Sequence, residues 1–391
     1  MAVNENYAYE VTEKISFPRL VGTEGEMKAR EMVAKEFEKI GYKPIREKFM
    51  TSFHNWVVAQ YAFIPIGLIL LLMALTLYFS LPLITLAIIA AILIIGWIAN
   101  KTILGGTSIA LFKDPEKNFE TENIYGKLKS KNSKGTIIFM AHWDSKSQTF
   151  NSAIRVFIFV VVIFSALIIS FAFLVISILM LLGISNQALN LAMLIYTIIV
   201  AAFGVLNYFN KTENKSPGAT DNGASVGVTF ELARYFKKNP LDNTDLIFLI
   251  TGSEELNLGG AKDFINKYEN KYDRSSTYFI NFDGVGTAGT MRLITSYGIP
   301  KKNSSEKLNK LFRETAEELK IKINNIYLPT GAWSDYMPVV QKGFEACWLA
   351  STGAFMVVHT KKDSMDKVSK EGLKNTVLIC VEAVKKIDQE F

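Results

Sequence analysis

Two stretches break the ordinary mixture of apolar and polar residues along the chain. Residues 49–100 and 156–210 contain no Asp, Glu, Lys or Arg. About 20 apolar residues are enough to cross a bilayer as a helix, so each stretch has room for two crossings. In the first, residues 57–79 and 81–99 are separated by Ser80 and Pro82, the mark of a tight helical hairpin. In the second, residues 156–182 and 189–209 flank Gly183-Ile184-Ser185-Asn186-Gln187. The pattern predicts four transmembrane helices in two hairpins, in preference to very apolar helices inside a soluble core.

Outside these stretches, periods of helix and strand alternate. Residues 24–40 read as a helix with Met27, Met32, Val33, Phe37 and Ile40 toward a core and Gly41 as the stop. Further helices are predicted over 223–237, 258–270, 304–320 and 369–387, and strands over 43–51, 123–129, 136–140, 245–251, 277–282 and 344–349. That alternation predicts an α/β fold, with a mixed, mostly parallel sheet sandwiched by helices. The expected organisation is one soluble domain in three pieces, 1–54, 101–154 and 211–391, interrupted by transmembrane hairpins over 55–100 and 155–210.

Composition agrees with a soluble part diluted by membrane helices: 49% of the 391 residues are apolar. Because each insertion holds two crossings, all soluble pieces lie on one side. Arg46, Lys48, Lys101, Lys113, Arg155, Lys211 and Lys215 flank the crossings on that side, while the hairpin tips carry no charge. The positive-inside rule then puts the soluble domain in the cytoplasm of a multi-pass cell-membrane protein. No secretory signal is visible in the mixed-charge first 50 residues, and Cys347 and Cys380 offer no disulfide framework. The net charge of +6 has no basic helix or aromatic-basic interleaving behind it. It suits lipid headgroups, and nucleic acid is not an expected partner.

Only three histidines occur, and two of them sit in polar motifs, His142 before Asp144 and His359 before Asp363. Between them come Asp221-Asn222-Gly223, Glu254-Glu255 and Asp283-Gly284. Each motif alone has an ordinary explanation as a turn, a helix entrance or a surface loop. Their positions are harder to dismiss. His142, Glu254-Glu255, Asp283 and His359 all follow predicted strands, and open α/β sheets build their sites at the carboxyl ends of strands. Two imidazoles and several carboxylates are the donor set of a dinuclear hydrolytic zinc centre.

On these motifs the chain resembles the zinc aminopeptidase family, which also contains glutamate carboxypeptidase-like and glutaminyl-cyclase-like enzymes. The resemblance runs from Phe17-Pro18-Arg19-Leu20-Val21-Gly22-Thr23 through His142-Trp143-Asp144-Ser145 and Gly218-Ala219-Thr220-Asp221-Asn222-Gly223. It continues with Ser253-Glu254-Glu255, Asn281-Phe282-Asp283-Gly284 and Val358-His359-Thr360. It implies two zinc ions, one held by His142 and Asp283, the other by Glu255 and His359, with Asp221 bridging. It also implies Glu254 as general base and Asp144 as the acceptor of the far ring proton of His142. Ser334-Asp335-Tyr336 resembles the family's Ser-Asp-His substrate-pocket element, with Tyr336 where His is common, so Asp335 and Tyr336 are candidate substrate contacts.

The expected activity is removal of N-terminal residues from peptides. A glutaminyl cyclase is the alternative, since His142–Lys146 resembles its His-x-Asp-Ser-Lys segment, although Val358 stands where an aromatic residue is expected. A non-catalytic membrane scaffold would be favoured by missing ligands, and none is missing. A transporter would need charge within the crossings. The short turn at 130–135 predicts that strands 123–129 and 136–140 are antiparallel neighbours. Both hairpins then leave from the edge that carries His142, so the active site faces the bilayer, and hydrophobic or membrane-released peptides are the expected substrates.

Overall fold

The computed structural model describes residues 2–53, 61, 63–103, 119–298, 300–329 and 333–391, with side chains from 97 to 103 left out. His54, the expected start of the first crossing at Val57, and Lys113 lie outside the described residues, as does the side chain of Lys101. The chain divides into two compact units: residues 1–51, 117–152 and 212–391 form one, and 52–116 with 153–211 form the other.

The first unit opens with two helices, α1 (Glu5–Ile15) and α2 (Glu24–Ile40), and is built on a nine-stranded sheet. Its strands are β1 (Ile45–Thr51), β2 (Phe119–Leu128), β3 (Gly135–His142), β6 (Thr244–Thr251), β7 (Thr277–Phe282), β8 (Met291–Tyr297), β10 (Ile323–Leu328) and β11 (Glu345–Ser351). The short β9 (Lys302–Asn303) pairs with β8; β4 (Ser147–Gln148) and β5 (Thr212–Glu213) form a ribbon of their own. The order across the sheet is β1-β2-β6-β3-β7-β11-β8-β10. The centre, β6-β3-β7-β11, is parallel, while β2 and β8 run antiparallel to their central neighbours.

Central parallel strands are buried on both faces, and their side chains alternate between two cores. On β3, Ile137, Phe139 and Ala141 join one core, and Ile138 and Met140 join the other. The first core is covered by α1, α2, Ala224–Lys238, Glu306–Glu318 and Lys370–Glu390; the second lies under Gly259–Tyr268 and Tyr336–Gln341. Replacing Phe139, fully buried and stacked 5.5 Å from Phe248, with Ala removes a side chain of the kind whose loss costs about 3–5 kcal/mol.

Three expectations are corrected. Strands β2 and β3 are not hydrogen-bonded neighbours, because β6 lies between them. The turn between them is held by Asn132 and Lys134 donating to the carbonyls of Asp242 and Asn243, which lead into β6. The direction survives: Ile250 of β6 pairs with Ile124 of antiparallel β2 and with Ala141 of parallel β3. Met27, expected in the core, is 52% exposed. β8, β10 and α1 lie where no element was predicted.

The second unit contains apolar helices. Ser152–Leu181 and the helical segment Gln187–Phe209 are long and apolar enough to cross a membrane. Of the other two expected crossings, Phe63–Tyr78 spans 16 residues and the described apolar part of the next runs Pro82–Gly96, so among the described residues two helices meet the length, not four. Leu70, Met73, Leu77, Ile169, Phe173 and Val200 form the unit's core. Gly67 lets Phe63–Tyr78 approach Gln187–Leu206 closely, since a Cβ there would lie 3.3 Å from that of Ala201. Asn190 Nδ2 donates to the Leu77 carbonyl at 3.2 Å. The outward faces carry Leu68, Phe79, Leu83 and Phe171, each at least 62% exposed.

Candidate metal centre

His142 is the last residue of β3, Glu254-Glu255 follow β6, Asp283 follows β7 and His359 follows β11. These strands are parallel, so their ends bring the four motifs to one edge. Asp221 reaches that edge from the turn before helix Ala224–Lys238. Its two carboxylate oxygens point to different histidines: Oδ1 lies 3.2 Å from His142 Nε2, and Oδ2 lies 3.1 Å from His359 Nε2. Asp283 Oδ1 stands 3.8 Å from His142 Nε2, and Glu255 Oε2 stands 3.0 Å from His359 Nε2. Two donor sets result, His142-Asp221-Asp283 and Asp221-Glu255-His359, and within each set the donor atoms lie within 4.8 Å of one another.

The donors fit metal ions better than each other. Glu255 Oε1 is buried with no hydrogen-bond partner, an expensive state unless something else binds it. The electrostatics point the same way. Burial and then the charges of Asp283, Glu255 and Asp335 push Glu254 well above the usual carboxylate range, against the pull of His142. Burial would lower His142, but Glu254 and the acceptors on Asp144, Asp221 and Asp283 outweigh it and hold the ring well above its ordinary value. Carboxylates gathered this densely either take up protons or are balanced by cations.

Asp144 does more than expected and partly something else. His142 Nδ1 lies 3.1 Å from the Asp144 backbone carbonyl and 3.5 Å from its Oδ1. The carboxylate itself accepts the backbone amides of Glu254 and Glu255, both at 3.1 Å. One buried carboxylate thereby sets the position of two neighbouring acids. Glu254 belongs to neither donor set, and its Oε2 stands 3.8 Å from His142 Nε2.

Four positioning residues escaped sequence reading. Asp363 accepts from Thr220 N, Thr220 Oγ1 and Asp221 N at 2.7, 2.7 and 3.0 Å. Asn222 donates to the Phe282 carbonyl and accepts from Gly284 N, bracketing Asp283. Lys146, buried, donates to Glu255 Oε2 at 2.8 Å and to the Glu255 carbonyl at 3.2 Å. Burial would raise Glu255, but His359 and Lys146 outweigh it and hold it at about 2. Arg19 is fully buried and donates to the carbonyls of Phe17, Trp143, Pro217 and Gly218. Each stands inside a motif read from the sequence, Arg19 after Pro18, Asn222 after Asp221, Lys146 after His142 and Asp363 after His359, but the motifs did not show what these side chains hold.

Asp335 and Tyr336 are both fully buried. Asp335 accepts from Thr251 Oγ1, and burial with the nearby Asp144 and Asp283 charges pushes it up to about 7. The Tyr336 ring packs 5.6 Å from that of Trp348.

Thr51, Phe119, Gln148 and Thr212, described residues of the first unit near its boundaries with the second, lie at the edge that carries the candidate ligands. Thr51 pairs with Phe119 across β1-β2, and Thr51 Oγ1 lies 2.7 Å from Ser253 Oγ. Gln148 pairs with Thr212, and its amide donates to the His359 carbonyl at 2.9 Å.

An α/β sheet that gathers two candidate metal-binding sets around a shared aspartate offers the donor set of a hydrolytic metal centre. Residues 204–384 match the sequence profile of peptidase family M28, and the chain carries a domain of that family. Aminopeptidase YwaD of Bacillus subtilis (strain 168) is 31% identical over 180 residues, 44% of this chain and 39% of that protein. The vacuolar membrane protease of Schizosaccharomyces pombe is 40% identical over 79 residues, 20% of this chain and 9% of that protein. The chain thus spans well under two thirds of the curated relatives it matches. Among solved structures, BSAP, a zinc aminopeptidase from Bacillus subtilis, matches with TM-score 0.56 and 16% identity over 98% of this chain and 95% of that one. A glutaminyl cyclase from an Acidobacteriales bacterium matches with TM-score 0.57 and 14% identity over 100% and 97%. At such identities these two speak for the fold alone.

Proposed function

We propose that the protein is an integral-membrane, dinuclear zinc aminopeptidase that removes N-terminal residues from peptides. The observation that carries this reading is Asp221, with one oxygen in each of two donor sets. His142, Asp221 and Asp283 would hold one ion and Asp221, Glu255 and His359 the other; mixed imidazole and carboxylate donors suit zinc. Such a pair supplies Lewis acidity to the scissile carbonyl and to the attacking water. Glu254, outside both sets, takes the proton from that water and returns it to the leaving amine. Asp144 holds Glu254 and Glu255 through their amides, so base and ligand keep one register.

The membrane part of the reading rests on two long apolar helices, two shorter ones and the membrane-protein names of several relatives. Four crossings, with the peptidase unit in the cytoplasm, remain the proposed arrangement. Since Thr51, Phe119, Gln148 and Thr212 all lie at the edge that carries the candidate ligands, the proposed active site faces the bilayer and takes hydrophobic or membrane-released peptides.

Metal analysis of detergent-purified protein, with an aminoacyl-substrate panel and Glu254→Gln, tests the chemistry. Two zinc ions and an activity lost in Glu254→Gln support it; one zinc with cyclisation of N-terminal glutamine would replace it with the cyclase reading. Equal activity on short soluble peptides, with no gain from lipid or apolar length, would remove the membrane-facing part.

A further inference from the structure

Among the described residues of the peptidase unit, six large apolar side chains are exposed: Met27, Met50, Tyr327, Trp333, Phe355 and Met356. Four of these sit beside the metal-binding edge. Met50 precedes Thr51, the last residue before the first passage to the other unit. Trp333 precedes Ser334, whose hydroxyl accepts from Asn281 at the end of β7. Phe355 and Met356 lie on the short turn between β11 and His359, 49% and 68% exposed, while Ala354 of the same turn is 3% exposed. That turn is fixed in place. A Cβ on Gly284, next to Asp283, would meet the Ala354 Cβ at 3.1 Å, and Val358 N donates to the Ala354 carbonyl at 3.0 Å. Past His359, Lys361 and Lys362 are exposed.

We propose that this loop touches the bilayer, with Phe355 and Met356 entering the interfacial layer and Lys361 and Lys362 resting on anionic headgroups. Apolar and aromatic side chains next to lysines are the pattern that binds such an interface. The chain's own connectivity selects lipid as the occupant. His359 accepts from the amide of Gln148, and the helix Ser152–Leu181 begins four residues after Gln148. The proposal rests on the membrane reading above, and the test separates the two.

Single cysteines carrying an environment-sensitive fluorophore are placed at Met356, at Leu167 on the apolar helix and at Lys131 in the turn at the opposite edge of the sheet. Cys347 and Cys380 are buried and stay unlabelled. The full chain is reconstituted in vesicles of phosphatidylcholine with phosphatidylglycerol, with nitroxide lipid or aqueous iodide as quencher. Labels at Leu167 and Met356 should be blue-shifted and quenched by nitroxide, with Met356 quenched about twofold more than Lys131. Lys361→Glu with Lys362→Glu, or omission of phosphatidylglycerol, should weaken the Met356 signal. Lipid quenching at Leu167 with an iodide-accessible Met356 label overturns the loop proposal alone; water exposure at Leu167 overturns the membrane reading with it. A Met356 label shielded only by added apolar peptide, or only as protein concentration rises, overturns the proposal in favour of substrate or a second copy. Phe355→Cys serves as an independent label site.

Discussion

Asp363 accepts the backbone amide of Asp221 at 3.0 Å, and with it both donors of Thr220. The aspartate that joins the two donor sets is therefore held by a residue four positions after His359. Asp363→Asn puts an amide group where three donors converge. It should weaken metal binding about 10–100-fold, the usual cost of losing a ligand's support, and destabilise the fold by about 1–3 kcal/mol. Metal-competition titration and thermal melting of the purified variant check both.

Asp144→Asn turns one of two acceptors toward the amides of Glu254 and Glu255 into a donor. If Asp144 works by placing base and ligand together, kcat should fall about 10–100-fold with KM nearly unchanged. Full zinc content in this variant, measured by elemental analysis, would separate misplacement of the base from loss of metal.

Lys146→Met should leave Glu255 without its ammonium partner. In metal-free protein, breaking such a buried pair costs about 3–5 kcal/mol, and zinc should restore part of it by binding the folded state. The pH sign follows from Glu255, held at about 2 against an ordinary 4.5. A depressed carboxylate stabilises fully above its unfolded value and loses that contribution as pH falls toward 2. Acid unfolding of metal-free Lys146→Met, followed by circular dichroism, should therefore begin at higher pH than in the unaltered protein.

Arg19 holds the carbonyls of residues 17, 143, 217 and 218 around its guanidinium. Arg19→Met removes the side-chain donor from the carbonyls of residues 17, 143 and 217, while the Gly218 carbonyl keeps the amide of Gly223, and should cost about 3 kcal/mol or more. Arg19→Lys keeps the charge but not the planar fork and should recover less than half of the loss in chemical denaturation.

The sequence made the strands legible wherever apolar side chains alternate into two cores, as on β3, and it made the candidate ligand motifs legible because most of them follow those strands. The order of the strands was not legible. A six-residue turn after β2 looks like a hairpin, and only its hydrogen bonds to Asp242 and Asn243, over a hundred residues away, open the gap that β6 fills. β8 and β10 were missed for the same reason, since their pairing with each other and with β11 is set by partners distant in the chain. Asp363, Asn222 and Lys146 stand in the motifs of His359, Asp221 and His142, but they act on backbone atoms and carboxylates far away in sequence, so nothing local shows their role. Met27 has the helical spacing of a core residue, but its face of the first turn looks outward.

The strand pairs Thr51-Phe119 and Gln148-Thr212 have a consequence for how the chain could be cut and rejoined. Directly paired residues lie about 4.5–5.5 Å apart, a gap that a two-residue turn closes. Each apolar insertion is thus a parenthesis in a sentence that reads on without it. A chain with Thr51 joined to Phe119 and Gln148 to Thr212 by such turns retains every candidate ligand, both cores and the Asp363, Asn222 and Arg19 supports, so the peptidase unit should fold without the apolar helices.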